Sequence, residues 1–186
     1  MLRSLLRSTS GIAAIALVGF PAGLFAQECA EKGNQHTRGA DVELSYAARS
    51  DDPQPKEKRY ARALEKLEPT LSDDEPLDRA YLLAGISYLG LRDYAGADSM
   101  LAKLEAVAPA CADVVQEMRF NAWVPLFNQG INHLRADDRD QALELFLMAN
   151  QIYFDARSLT NAANIYQRRG DNETAVALYR QALEAG

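Results

Sequence analysis

The side chains able to do chemistry are few, and their spacing sets limits at once. His36 and His133 are the two histidines of the chain. Neither belongs to an H-E-x-x-H, no C-x-x-C is present, and no third ligand lies within helical reach, so no metal centre is expected. The stretch Gly85 to Gly90 (GISYLG) has the GxxxxG spacing of a phosphate loop, yet Leu91 and Arg92 follow where Lys and Ser or Thr are required. It also reads as the middle of a helix, which removes the open loop a phosphate needs. Asp137, Asp138 and Asp140 crowd one turn without the D-x-D-x-D-G order of a calcium loop. No G-x-S-x-G is present. These readings together describe a protein that is not an enzyme and uses no cofactor. Asn172-Glu173-Thr174 is a glycosylation sequon in a turn, meaningful only in a source that glycosylates exported proteins.

Charge narrows the partners. The 186-residue chain has a formal net charge of -6, and without Arg3 and Arg7 its remainder sets 18 basic residues against 26 acidic ones. That balance repels a phosphate backbone, and no run of Lys and Arg offsets it, so nucleic acid is not an expected partner. Residues 1–26 read as a secretory signal peptide. Arg3 and Arg7 start it, an apolar run spans Gly11 to Phe20, Pro21 breaks the run, and cleavage is expected after Ala26. Leu24 is larger than the A-x-A rule prefers. A lipoprotein anchored at Cys29 would lack small residues before that Cys, and a transit peptide would have an amphipathic rather than a solid apolar run. At about 20 residues for a membrane span, the run is too short to cross comfortably. The expectation is a periplasmic or secreted protein with no stable membrane span after cleavage.

Cys29 and Cys111 remain in such a compartment. Two readings stay open: a disulfide that pins the N-terminal tail to residue 111, or one tail thiol and one buried thiol.

The elements that must position these groups are helices. Residues 27–55 read as a polar N-terminal tail and linker, with a short candidate helix at 41–49 broken by Asp51-Asp52-Pro53-Gln54-Pro55. From Lys56 to Glu68 a helical stripe carries Tyr60, Leu64 and Leu67 at the expected spacing, the second helix of a degenerate opening repeat or a cap. After a loop at 69–76, the segment 78–111 places Tyr81, Ala84, Gly85 and Tyr88 before Ala97, Leu101, Leu104 and Pro109. Sliding Gly85 to Gly130, Ala97 to Ala142 and Leu101 to Phe146 uses a single offset of 45. A third copy, 33 further on, holds Leu159, Ala162, Ala163 and Tyr166, then Ala175, Tyr179 and Ala182. A mid-helix Gly costs about 1 kcal/mol against Ala, so Gly85 belongs where one helix must approach another, with Ala97 facing it.

This pattern resembles the tetratricopeptide repeat, a helix–turn–helix unit with the signature W-x2-L-G-x2-Y, A-x3-F and P. Tyr81 stands for the Trp, while Ala84 and Leu101 replace the Leu and the Phe. The resemblance implies an all-α domain at 56–186: antiparallel helix pairs stacked as a right-handed solenoid, with clear repeats at about 78–111, 123–155 and 156–186. The surplus in the longer offset falls at Ala112–Ala122, which would extend the helix entering the second repeat, either kinked or broken at Pro125. Tyr81, Tyr88, Tyr166 and Tyr179 then read as packing residues before any aromatic cage, and His133 as a packed imidazole rather than a ligand.

In the repeat family it resembles, the first helix of each unit lines a concave, peptide-binding surface. Position by position this implies Leu82, Ile86 and Leu89 in the first repeat, and Phe127, Asn128, Ile131 and Leu134 in the second. The third contributes Arg157, Thr160, Asn161, Asn164, Gln167 and Arg168. The groove would be greasy at one end and polar at the other, and open unless the N-terminal helix covers it. The implied function is a non-catalytic scaffold or adaptor of the cell envelope that binds a protein or peptide partner. The alternative is a structural homo-oligomer, a homodimer or an assembly brace, without an exchangeable peptide.

Overall fold

The computed structural model describes residues 29–30, 33–74 and 76–184; the signal-peptide reading falls outside the described residues. Eight α-helices follow one another among them: α1 (Gln35–Arg49), α2 (Pro53–Leu71), α3 (Asp78–Gly90), α4 (Tyr94–Val107), α5 (Ala112–Arg135), α6 (Arg139–Ile152), α7 (Ala156–Arg168) and α8 (Asn172–Glu184). A 3₁₀ turn at Pro109–Cys111 joins α4 to α5. Neighbours pair as α1 with α2, α3 with α4, α5 with α6 and α7 with α8, and each pair rests on the next. The turns within the last three pairs are too short for anything but antiparallel packing. The chain is therefore all-α, a stack of antiparallel helix pairs in the manner of a helical-repeat solenoid. Among the described residues, no helix is long and apolar enough to cross a membrane.

The first two helices are longer than the sequence reading placed them, α1 beginning at Gln35 and α2 running from Pro53 to Leu71 rather than from Lys56 to Glu68. The stretch read as tail and linker contains α1, whose Thr37, Ala40 and Ala47 are buried. Asn34 explains it: its carboxamide oxygen accepts from the N–H groups of His36 and Thr37, and its Nδ2 donates to Thr70 Oγ1 at 2.9 Å, tying the start of α1 to the end of α2. Asp52 caps α2 with Pro53 in its first turn, where the missing N–H is harmless. Of the two readings left open at Pro125, the break is the one that fails: α5 runs as one helix from Ala112 to Arg135 with Pro125 inside it.

What repeats most faithfully is the turn. Arg92, Asp137 and Gly170 all have positive φ, at 61°, 62° and 83°, and they are separated by the same offsets as the helix landmarks. In each turn the N–H one residue later returns to the carbonyl of Tyr88, His133 or Tyr166, at 3.0, 2.9 and 3.0 Å. That is the wide bond of a Schellman ending. The next helix then starts on the same Asp, because Asp93, Asp138 and Asp171 accept from the N–H groups of Gly96, Gln141 and Thr174.

In the two middle pairs, contact is made over a missing side chain. A Cβ on Gly85 would lie 2.8 Å from Leu101 Cδ2, and one on Gly130 would lie 2.7 Å from Phe146 Cε1. Leu101 and Phe146 are fully buried, so neither can retreat into solvent. Cys29 and Cys111 form a disulfide, with Cα atoms 5.1 Å apart, across 82 residues of sequence. It brings Ala30 into one cluster with Leu82, Leu101, Leu104, Val115 and Met118.

Two outcomes follow for stability. Gly130→Ala should destabilise in urea despite a helix-propensity gain of about 1 kcal/mol, and Phe146→Leu, destabilising alone, should recover part of the loss in the double variant; additive effects would show that the two do not meet. Reduction, or Cys111→Ser, should lower the unfolding free energy by up to about 4 kcal/mol in the loop-closure estimate, read as a fall in the urea midpoint of the oxidised protein.

Candidate functional site

The first helices of the second and third repeats, α5 and α7, enclose an open hollow of about 290 Å³ lined by Phe127, Ala156, Arg157, Thr160 and Asn161. Four of these five residues belong to α7, and Phe127, from α5, continues an aromatic row on that helix. Phe120, Trp123 and Phe127 share one face at i, i+3 and i+7, and Trp123 stacks on Phe127 at 4.8 Å and on Phe120 at 5.6 Å. Trp123 cannot turn, because its indole N–H donates to the buried Ser158 hydroxyl of α7 at 2.9 Å. Tyr153 closes the group edge-on to Phe120.

The rim is set by one carboxylate. Asp155 caps α7 by accepting from the Arg157 N–H at 2.8 Å, and it grips the same residue's guanidinium through Nε at 3.0 Å and Nη2 at 2.8 Å. The guanidinium lies with Cζ 4.3 Å from the Trp123 ring centre and 5.7 Å from that of Phe127. Burial of Asp155 favours its neutral form. Hydrogen bonds from the Arg157 side chain and backbone, the Arg157 charge and the Ser158 N–H together outweigh it, and the carboxyl is held below its ordinary value. Arg157 is correspondingly raised, first by its hydrogen bond to Asp155.

Beside this rim, Thr160 donates to the Ala156 carbonyl and Asn161 Nδ2 to the Arg157 carbonyl, which leaves their oxygens as acceptors toward the hollow. Aromatic wall, pinned cation and two acceptors can seat and orient a ligand. They contain no nucleophile with an adjacent base. Among the described residues, no group of three or more His, Cys, Asp or Glu is arranged to hold a metal.

The structure thus gathers Phe127, Arg157, Thr160 and Asn161 at one place, and Asn128 is exposed on the same helix as Phe127. It separates the remaining groove residues. Leu82 is 1% exposed, a core residue packed in the cluster with the bridge cysteine Cys111, and a groove role for it is corrected. Ile86 and Leu89 are half-buried against that same cluster. The cause is the extra length of α5, which adds Val115 and Met118, together with the bridge, which adds Ala30. The greasy end is therefore filled from within the chain. Ile131 and Leu134 pack on the core of the last two pairs. Asn164 and Gln167 turn toward α8, where the Tyr179 hydroxyl meets Asn164 Oδ1 at 2.7 Å and Gln167 Oε1 at 3.2 Å. His133 is no packed imidazole either: it is half-exposed at the turn, with Nδ1 3.0 Å from Asp138 Oδ2.

Sequence reasoning missed Trp123, Ser158 and Asp155. Trp123 lies off the repeat landmarks, and its signal was that it is the chain's single tryptophan, two residues before a helix-internal proline. Asp155 was visible as the acid before Ala156, in the position of a helix cap.

The tetratricopeptide repeat family matches residues 156–185, which are α7 and α8. The last pair is thus matched as a tetratricopeptide repeat, and the two pairs before it share its helix pairing and its turns. The match supports a scaffold for protein–protein contact. Among solved structures, the chain is similar to a crystal structure of MamA, at 19% identity over 80% of this chain and 85% of that one, with a TM-score of 0.32. It is likewise similar to MamA MSR-1, at 20% identity over 81% and 91%, with a TM-score of 0.30. Scores this low carry no argument about function. No curated protein matches.

Because the Asp155 carboxyl is depressed in the folded state, its pairing with Arg157 persists above the usual carboxylate range and is lost as pH falls through the lowered value. Trp123 fluorescence should therefore change with a midpoint below the ordinary carboxylate value, and Asp155→Asn should remove that transition; an identical acid titration in the variant would sever Asp155 from the aromatic wall.

Proposed function

We propose that this tetratricopeptide-repeat protein is a non-catalytic adaptor of the cell envelope that holds a partner protein or peptide in the hollow between α5 and α7. The observation that carries the reading is the Asp155–Arg157 pair laid over Trp123 and Phe127. A site whose cation is neutralised in advance and whose aromatic wall is hydrogen-bonded in place presents little mobile surface, so a partner meets groups that are already ordered. The chemistry favours an apolar or aromatic anchor against Phe127, with backbone or hydroxyl donors turned toward Thr160 and Asn161. Phe120 and Phe154, both exposed, extend the apolar surface beyond the hollow.

The envelope location rests on two supports. One is the signal-peptide pattern of residues 1–26, and the other is the Cys29–Cys111 bridge, which belongs in an oxidising compartment and begins three residues past the expected cleavage point. A second reading, assembly of the chain with itself, is favoured by exposed apolar residues on the first and last helices.

Crosslinking in the native compartment followed by mass spectrometry should capture a discrete partner with the wild-type protein. Thr160→Trp fills the hollow from an exposed position and should abolish that capture while circular dichroism stays unchanged. Equal capture by wild type and variant would move binding away from this site.

A further inference from the structure

The repeat register shows what the outer face of α8 lacks. Val176 is 33 residues after Leu143, one repeat on. Leu143 is 7% exposed because it joins Ala162 and Ile165 of the following helix in the core, whereas Val176 is 47% exposed. The pattern extends around the helix. Leu145 and Phe146 are buried, while their equivalents Leu178 and Tyr179 are only half-buried, and Leu183 is 83% exposed. Here the seat that a further helix occupies inside the array is present and apolar.

The opposite end has a matching face. On α1, Val42 is 53% and Tyr46 50% exposed, so among the described residues four of the eight exposed large apolar side chains sit on α1 and α8. The acids of α1 are engaged inward, Asp41 with Arg79 and Glu43 with Arg59. That leaves Arg38 and Arg49 as the exposed charges of α1, while Glu173 and Glu184 are the exposed acids of α8. Both pairs span eleven residues, about three turns or roughly 16 Å, so each pair lies along one stripe. Laid antiparallel, as successive helices are throughout the array, Glu173 faces Arg49, Val176 faces Tyr46 and Glu184 faces Arg38. Arg180 then crosses Val42 with its aliphatic stem, and Leu183 lies within a turn of Val42.

We infer that the α8 face of one copy docks on the α1 face of a second copy, head to tail, continuing the array from chain to chain. The contact joins two different surfaces, so it does not close on itself and can repeat. It involves neither the hollow nor any residue assigned to it, and stands or falls apart from partner capture there.

Light scattering on the oxidised protein, with residues 1–26 removed, should give a mass above one chain at high micromolar concentration, rising with concentration. Val176→Asp with Leu183→Asp should be monomeric, and so should Val42→Asp with Tyr46→Asp. Mixed in equal amounts, the two variants each retain one intact face and should form a dimer and nothing larger. Glu173→Arg and Arg49→Glu, both at exposed positions, should each weaken assembly and together restore it, which tests the pairing even if an Asp variant misfolds. Thr160→Trp should assemble like the wild type. A wild-type monomer across the concentration range, a monomeric mixture of folded variants, or no restoration by the charge exchange would overturn the proposal.

Discussion

The two middle helix pairs, α3 with α4 and α5 with α6, lie at a separation that leaves no room for a Cβ at one point of contact. Gly85 under Leu101 and Gly130 under Phe146 set that separation, and both large partners are fully buried. Glycine is a poor helix former, so each pair accepts a loss of local propensity in exchange for dispersion contact along two whole helices. In the third unit, Ala163 holds the equivalent place, and the partner Tyr179 ends in hydrogen bonds to Asn164 and Gln167 rather than in a sealed core. Close approach is thus strictest in the middle of the stack and relaxed at its end.

Repetition of the turn follows from the same constraint. A pair of helices pressed together needs a reversal of fixed geometry, and the left-handed residue followed by a capping Asp supplies it three times. Only Gly170 meets the left-handed requirement without steric conflict. Arg92 and Asp137 are held there by the Schellman bond and by the Asp cap that starts the next helix. A change confined to the turn would therefore be felt along both helices it joins.

The parts of the fold legible in sequence were those governed by local rules. Small residues at matched offsets, Asp caps and the turn at Arg169-Gly170-Asp171 identify helix pairs, because backbone approach and capping act within a few residues. Burial of Leu82 was not legible, for it depends on two distant segments: the extra turns of α5 and the disulfide that carries Ala30 inward. The first turns of α1, ahead of the candidate helix at 41–49, were concealed by a polar composition, since the buried residues of the helix are Thr37, Ala40 and Ala47, and its anchor is the Asn34–Thr70 bond. At the hollow, Phe127, Arg157 and Asn161 could be placed by repeat position alone. Trp123 and Asp155 could not, because one lies off the landmarks and the other acts from the loop ahead of its helix.

Where the hollow sits within a one-dimensional array has an energetic consequence. Among the described residues the main contacts of each helix pair are with its neighbours, so stability is carried by pair interiors and by the junctions between them. The Trp123–Ser158 bond and the Arg157–Trp123 contact cross the junction between α5 and α7, which means that the site and the docking of the last pair are made of the same interactions. If the last pair undocks, Asp155 and Arg157 leave the aromatic wall and the hollow ceases to exist. A ligand seated between α5 and α7 binds only the docked state, and so it must hold the last pair in place by as much free energy as its own occupancy supplies.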